Sequence, residues 1–289
     1  MLAAKILINQ EIKVFPVCFE SYFFGASQAA RSAEYIGLKL ETVSFAEEHL
    51  DIVKKPVYRY GKGMNPCIDC HLLMLKKAGE IIRNGNYDFV ATGEVLDERP
   101  FSQNERVMSF MEKEANLEGL VLRPLSAKLL KEAIPEKNGL VDRKKLYDIR
   151  GKSRKEHIKL AEKLGVEKFP QPAGGCLLTD PEYSKKLKEL FKRAPNFSGA
   201  DCEILKKGRV IWDGEILFIV GRNEKENETL EKCKTENSAI IIPENFPGPS
   251  VLVKSYSKKL QPGIIEKAKE LVLKYSKKTT TEPKHIVNI

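Results

Sequence analysis

Cysteine, histidine and tryptophan are scarce in this chain: six, four and one among 289 residues. Six cysteines are too sparse for a disulfide scaffold, so their spacing is read as chemistry. No apolar run approaches the roughly 18 residues of a membrane helix, which argues against a membrane protein. The opening Met1-Leu2-Ala3-Ala4-Lys5 has no basic stretch leading into an apolar core. No secretory leader is expected from it, and the protein is assigned to the cytoplasm. Disorder is excluded by 42% hydrophobic and 31% charged residues. What is plentiful is positive charge, with 49 Lys+Arg against 40 Asp+Glu and a net charge of +9. That balance points to an anionic partner, nucleic acid first, with a merely soluble lysine-rich surface as the plain alternative.

Length suits two domains with real hydrophobic cores. Helix and strand patterns alternate over the first hundred residues. Val14 to Phe19, Leu38 to Phe45 and Tyr87 to Thr92 read as strands. Leu2 to Gln10, Ala26 to Gly37 and Cys67 to Asn84 read as helices. This order predicts an α/β domain, an open parallel sheet with helices on both faces. Helical patterns dominate from Asn104 to Leu164, and a loop follows at Phe169 to Gly175. Past Pro195-Asn196-Phe197-Ser198-Gly199 come short strands and one helix, Pro262 to Tyr275. We therefore expect residues 1–103 to form the α/β domain, 104–195 a mainly helical extension, and 196–289 a smaller α+β domain. The last ten residues are expected to be a tail.

The segment with chemical content is Asn65-Pro66-Cys67-Ile68-Asp69-Cys70-His71. Asn65 suits a helix N-cap and Pro66 the first helical position. Cys67 and Cys70 then share one side of the first turn, where free amides and the helix dipole favour thiolate. Two small residues packing a helix start is the plain alternative. Cys176 adds a third sulfur after Gly174-Gly175. Three such sulfurs suit one [4Fe-4S] cluster with an open iron. They equally suit a nucleophile, Cys176, with Cys70 as its resolving partner. Zinc would want a fourth ligand, and His71 points about 100° away from Cys70. Asp69 is expected to face away from both sulfurs as a favourable anion in a first turn. The basic stretch Arg150, Lys152, Arg154 and Lys155 suits RNA backbone, or is simply wet surface.

Taken in order, Asn65-Pro66-Cys67-Ile68-Asp69-Cys70, Ala91-Thr92-Gly93-Glu94, Leu122-Arg123-Pro124-Leu125-Ser126 and Gly174-Gly175-Cys176 resemble the tRNA 2-thiouridylase family. These are sulfurtransferases of the ATP-pyrophosphatase, or PP-loop, type, and the resemblance covers about residues 1 to 190. It implies a Rossmann-like (HUP-type) fold, ATP with Mg as cofactor, and tRNA as partner. It also implies a sulfur donor, either a cysteine desulfurase relay or sulfide. ATP activates a uridine carbonyl oxygen, which sulfur from a persulfide or an iron–sulfur cluster replaces. Cys70 and Cys176 match the family cysteines, Cys67 replaces a common Asp, and Thr92 and Gly93 fall where adenosine is held. The first strand and the Ser-Gly-Gly-x-Asp-Ser loop of the family have no counterpart ahead of Met1. A late start and a degenerate RNA-binding member without ATP hydrolysis both account for that, and an apolar gap is expected in the sheet.

The last module resembles the RNA-binding domain of the NFACT family. The matching residues are Trp212-Asp213-Gly214, Ile219-Val220-Gly221-Arg222-Asn223 with Asn227, and Pro247-Gly248-Pro249-Ser250-Val251. Arg222 and Asn223 are the expected RNA contacts, with Arg209, Lys225, Lys254, Lys258 and Lys259 as further phosphate-pairing charge.

Overall fold

The computed structural model describes residues 1–169, 175–233, 235–257, 259–277 and 283–288. Two compact units divide the chain, Met1–Cys176 and Leu177–Ile289. The first unit runs α1 (Leu2–Ile8), β1 (Val17–Glu20), α2 (Ser27–Tyr35), β2 (Glu41–Ser44), α3 (Ala46–Lys54), α4 (Cys67–Gly85), β3 (Val90–Ala91), α5 (Glu105–Glu114), β4 (Val121–Leu122), α6 (Ile134–Lys137) and α7 (Lys155–Lys163).

Strands β1 and β2 pair in parallel, Val17 opposite Glu41, and β3 and β4 pair in parallel, Val90 opposite Val121. The sequence predicts one open parallel sheet. Among the described residues, the first unit instead holds two separate two-stranded sheets with no hydrogen bonds between them. Part of the reason is local. Pro16 has no N–H to give, so the β1 ladder starts after it, although the Pro16 carbonyl accepts from the Glu41 N–H at 2.9 Å. All four β1 residues are only half-buried, unlike a strand covered on both faces.

Helix α4 buries Leu72 and Leu75 against Met108 and Met111 of α5. It stops at Asn86, whose φ of 59° is a left-handed turn that asparagine tolerates. Asn104 caps α5, its side-chain oxygen accepting the Val107 N–H at 3.0 Å. Ile6 and Leu7 of α1 share a core with Val95, Leu122, Leu146 and Leu160. The segment after residue 104 is thus packed into the same unit as the first helix.

The second unit runs α8 (Pro181–Arg193), α9 (Gly199–Ile204), β5 (Arg209–Asp213), β6 (Ile216–Val220), α10 (Glu224–Glu231), β7 (Ser238–Pro243), β8 (Val251–Ser255), α11 (Pro262–Tyr275) and β9 (His285–Asn288). Asp180 caps α8 by accepting the Tyr183 N–H at 2.7 Å, and Leu187 and Leu190 turn fully inward. The Tyr183 hydroxyl donates to the Cys202 carbonyl at 2.8 Å, which ties α8 to α9.

The strands form one antiparallel sheet in the order β5-β6-β8-β7-β9. Side chains alternate between its faces. Phe218, Val220, Ile241 and Val253 meet Ala268 and Val272 of α11 on one face. Leu217, Ile219 and Leu252 meet Ile204 and Leu230 on the other. Truncating Phe218, which is completely buried, to alanine would cost about 3–5 kcal/mol. The tail expected at the end is partly a strand, since Ile286 of β9 pairs with Ile242 of β7. Among the described residues no helix is long and apolar enough to cross a membrane.

Candidate thiol site and nucleic-acid interface

Pro66, not Asn65, occupies the N-cap of α4. The Asn65 side chain serves the loop and the sulfur instead. Its oxygen accepts the Gly63 N–H at 3.0 Å and its amide donates to Cys67 Sγ at 3.1 Å. Cys70 is buried, whereas Cys67 and Cys176 are half-buried. Burial, then the neighbouring Cys176, Cys67 and Asp69, push the Cys70 thiol far up from its ordinary value. The helix-start argument for thiolate therefore fails at Cys70, because desolvation outweighs the dipole there.

Asp69 is the acidic residue of the first turn of α4, as expected. It is buried, and its carboxylate accepts the N–H groups of Val57 (2.9 Å) and Tyr58 (3.1 Å), pinning the loop ahead of α4. Cys176 follows Gly175, whose φ of +67° is open to glycine, while Gly174 lies outside the described residues. Among the described residues no group of three or more His, Cys, Asp or Glu stands ready to hold a metal ion. The three thiols as placed do not fit a preformed iron–sulfur or zinc ligand set.

A buried ionic network lies one residue from Cys70. His71 Nδ1 is 3.2 Å from Glu94 Oε1, and Arg123 Nε donates to Glu94 Oε2 at 3.0 Å. Arg123 also pairs with Glu112. Burial acts to raise the Glu94 pKa, but hydrogen bonding from His71 and the Arg123 charge outweigh it and hold the carboxyl down at about 2. The Thr92 hydroxyl donates to Glu94 at 3.2 Å, and the space beside Gly93 is open. The register explains the meeting. Ala91 lies opposite Leu122, so the residues that follow each strand, Thr92 to Glu94 and Arg123, leave the pair side by side. A charged residue directly after a buried two-residue strand was the available signal for this network. Ser126 of the same motif is fully buried. It accepts the Leu96 N–H at 3.0 Å and donates to the Ile149 carbonyl at 2.7 Å. This clip places the basic stretch beside the loop after Glu94, where Arg150 pairs with Asp97. Lys152 and Lys155 are exposed, and Arg154 lies 5.9 Å from the Phe169 ring centre.

In the second unit, Asn223 caps α10, its side-chain oxygen accepting the Glu226 N–H at 3.0 Å. Arg222 is tied to Glu226, whose carboxyl these hydrogen bonds hold at about 2. Lys254 pairs with the buried Asp201. Lys258 lies outside the described residues. Gly221 donates its N–H to the Ser250 carbonyl at 3.0 Å, and Asn227 accepts the Ser250 N–H at 3.1 Å. A Cβ on Gly221 would sit 1.9 Å from the Asn227 side-chain oxygen. The Gly-Arg-Asn turn, Asn227 and the Pro-Gly-Pro-Ser turn are therefore one knot joining β6, α10 and β8.

Comparison with curated proteins gave no match, and neither did comparison with solved structures. The family model for the NFACT protein RNA binding domain matches residues 209–288, which span the whole five-stranded sheet with α10 and α11.

Proposed function

We propose that this protein binds RNA through its second unit, with tRNA as the partner. The match of residues 209–288 to an NFACT RNA-binding domain carries this reading, and the net charge of +9 supports it. Phosphate binding by Lys and Arg releases counterions, so affinity should fall linearly with salt on logarithmic axes. Titrating the full chain into labelled tRNA at several salt concentrations tests it. Absence of binding at low salt overturns it.

A second reading is sulfur transfer to a tRNA uridine. It is supported by Cys176 and Cys67 both acting, after burial, on the Cys70 thiol. It is carried through the thiols alone: Cys176 takes the outer sulfur of a donor persulfide, whose own thiol leaves, that sulfur replaces the adenylated oxygen of the uridine as AMP departs, and Cys70 closes a disulfide with Cys176 that a thiol reductant reopens. Buried Cys70 would have to be uncovered or deprotonated for that. The test incubates the protein with ATP, Mg, tRNA, a persulfide donor and a thiol reductant. Thiolated uridine that vanishes in Cys70→Ser and Cys176→Ser supports the reading. No thiolated nucleoside with the persulfide donor removes it.

A further inference from the structure

The charges of the second unit divide into two kinds. Arg222, Lys254 and Lys267 are spoken for by Glu226, Asp201 and Asp213. Arg209 and Lys274 are not, since neither has a carboxylate within ion-pair reach among the described residues. Both instead approach one aromatic ring. The Arg209 guanidinium lies 5.0 Å from the Tyr275 ring centre and Lys274 Nζ lies 5.7 Å from it. Tyr275 is 37% exposed, and it is the one exposed aromatic among the described residues of this unit.

The three residues sit on rigid parts. Arg209 opens β5, the edge strand of the sheet, and Tyr275 is the last residue of α11. Gly208 fixes where β5 begins. Its φ is +58°, and a Cβ there would lie 2.4 Å from the Val220 carbonyl oxygen. At the other end of β5, Asp213 pairs with Lys267 of α11 at 2.7 Å, so strand and helix are tied on the same face.

We infer that Arg209, Tyr275 and Lys274 form a stacking platform for unpaired RNA. One base extends the stack that the Arg209 guanidinium makes over the Tyr275 ring, and the flanking phosphates meet the two cations. The inference rests on the RNA-binding reading and adds to it the contact residues and the form of the RNA. A duplex hides its base faces, so a flat exposed ring between unpaired cations suits a loop or a single strand. Arg222 pairs with Glu226 and Asn223 caps α10, so the platform adds contacts beside those two residues.

The test is fluorescence anisotropy of the full chain with a labelled single-stranded RNA and with the same sequence as a duplex. The single strand should bind more tightly. Tyr275→Ala and Tyr275→Leu, the latter keeping apolar bulk, should each weaken it about 5- to 150-fold, while Tyr275→Phe stays within about threefold. Arg209→Gln should reduce the slope of log affinity against log salt by about 0.7. Far-ultraviolet circular dichroism of each variant checks folding, and Tyr275→Leu keeps the test decisive where alanine unfolds. Wild-type binding with unchanged affinity in both Tyr275→Leu and Arg209→Gln overturns the platform and leaves the RNA-binding reading standing. Tighter binding of the duplex overturns the single-strand assignment. Failure of the wild type to bind any RNA at low salt overturns the underlying reading as well.

Discussion

Acid should destabilise the first unit through His49 well before the native state itself takes up the proton. His49 is fully buried on α3, with the rings of Phe23, Phe24 and Phe45 at 5.6, 5.3 and 5.3 Å. Neither ring nitrogen has a hydrogen-bond partner among the described residues. Burial lowers its pKa from 6.5 to about 4. A folded-state pKa below the unfolded value means that the unfolded chain is protonated first as pH falls. Stability is therefore full above pH 6.5, declines through the interval, and has lost its whole contribution below about pH 4. The difference of 6.5 minus about 4, at ~1.36 kcal/mol per unit, makes the loss about 3 kcal/mol. Urea unfolding across this pH range, followed by far-ultraviolet circular dichroism, measures it. Trp212, the one tryptophan, lies in the second unit and gives that unit a separate fluorescence signal. His49→Phe and His49→Leu remove the titrating group without breaking a hydrogen bond, and should flatten the pH dependence. The reasoning is refuted if both variants keep the wild-type slope, or if the His49 imidazole resonance titrates near 6.5 in the native protein.

Other perturbations have equally definite outcomes. Glu94, held down at about 2 from 4.5, contributes stability above pH 4.5 that is lost as pH falls towards 2, a more acidic interval than that of His49. Arg123→Met leaves Glu94 and Glu112 without their shared cation and should cost about 3–5 kcal/mol in denaturant unfolding, whereas the combination Arg123→Met, Glu94→Gln, Glu112→Gln should recover part of it. Gly221→Ala drives a Cβ to 1.9 Å from the Asn227 side chain and should cost about 1–3 kcal/mol, with an added Asn227→Ala relieving the clash in a double-mutant cycle. Iodoacetamide at neutral pH, read by peptide mass spectrometry, should label half-buried Cys67 faster than Cys70, whose thiol is buried and pushed up. Equal rates at the two sites would contradict the burial assigned to Cys70.

Period and capping made much of the fold legible. The helix expected from Cys67 to Asn84 is observed as Cys67–Gly85, and Pro262–Tyr275 is observed with the expected bounds. Such helices carry their own signals: an apolar stripe, a proline at the start, an asparagine or glycine at the end. The parallel strands were less legible because pairing is not local. The apolar run Val14 to Phe19 has the composition of a buried strand, yet among the described residues the strand is Val17–Glu20 and its one partner is β2. The final strand was read as a tail because His285–Asn288 is four residues long and takes its stability from β7, more than forty positions earlier.

The charged residues show the same limit more sharply, because a charge is interpretable only with its partner. The sequence presents Arg222, Lys254 and Arg209 as equivalent phosphate ligands. Folding brings Asp201 to Lys254 across 53 positions and Glu226 to Arg222 within one turn, and brings no carboxylate to Arg209 among the described residues. A lysine paired with a buried carboxylate cannot be given to a phosphate without leaving that carboxylate bare in the interior, which costs more than a surface phosphate contact returns. Lys254 is therefore a poorer phosphate ligand than the exposed cations, paired at the surface or unpaired. The first unit differs, because the Arg150–Asp97 pair is exposed, at 65% and 31%, and can be exchanged for a phosphate at little cost, beside the exposed Lys152 and Lys155. Of the net charge of +9, the share available to an anionic partner is fixed by these long-range pairings and not by composition.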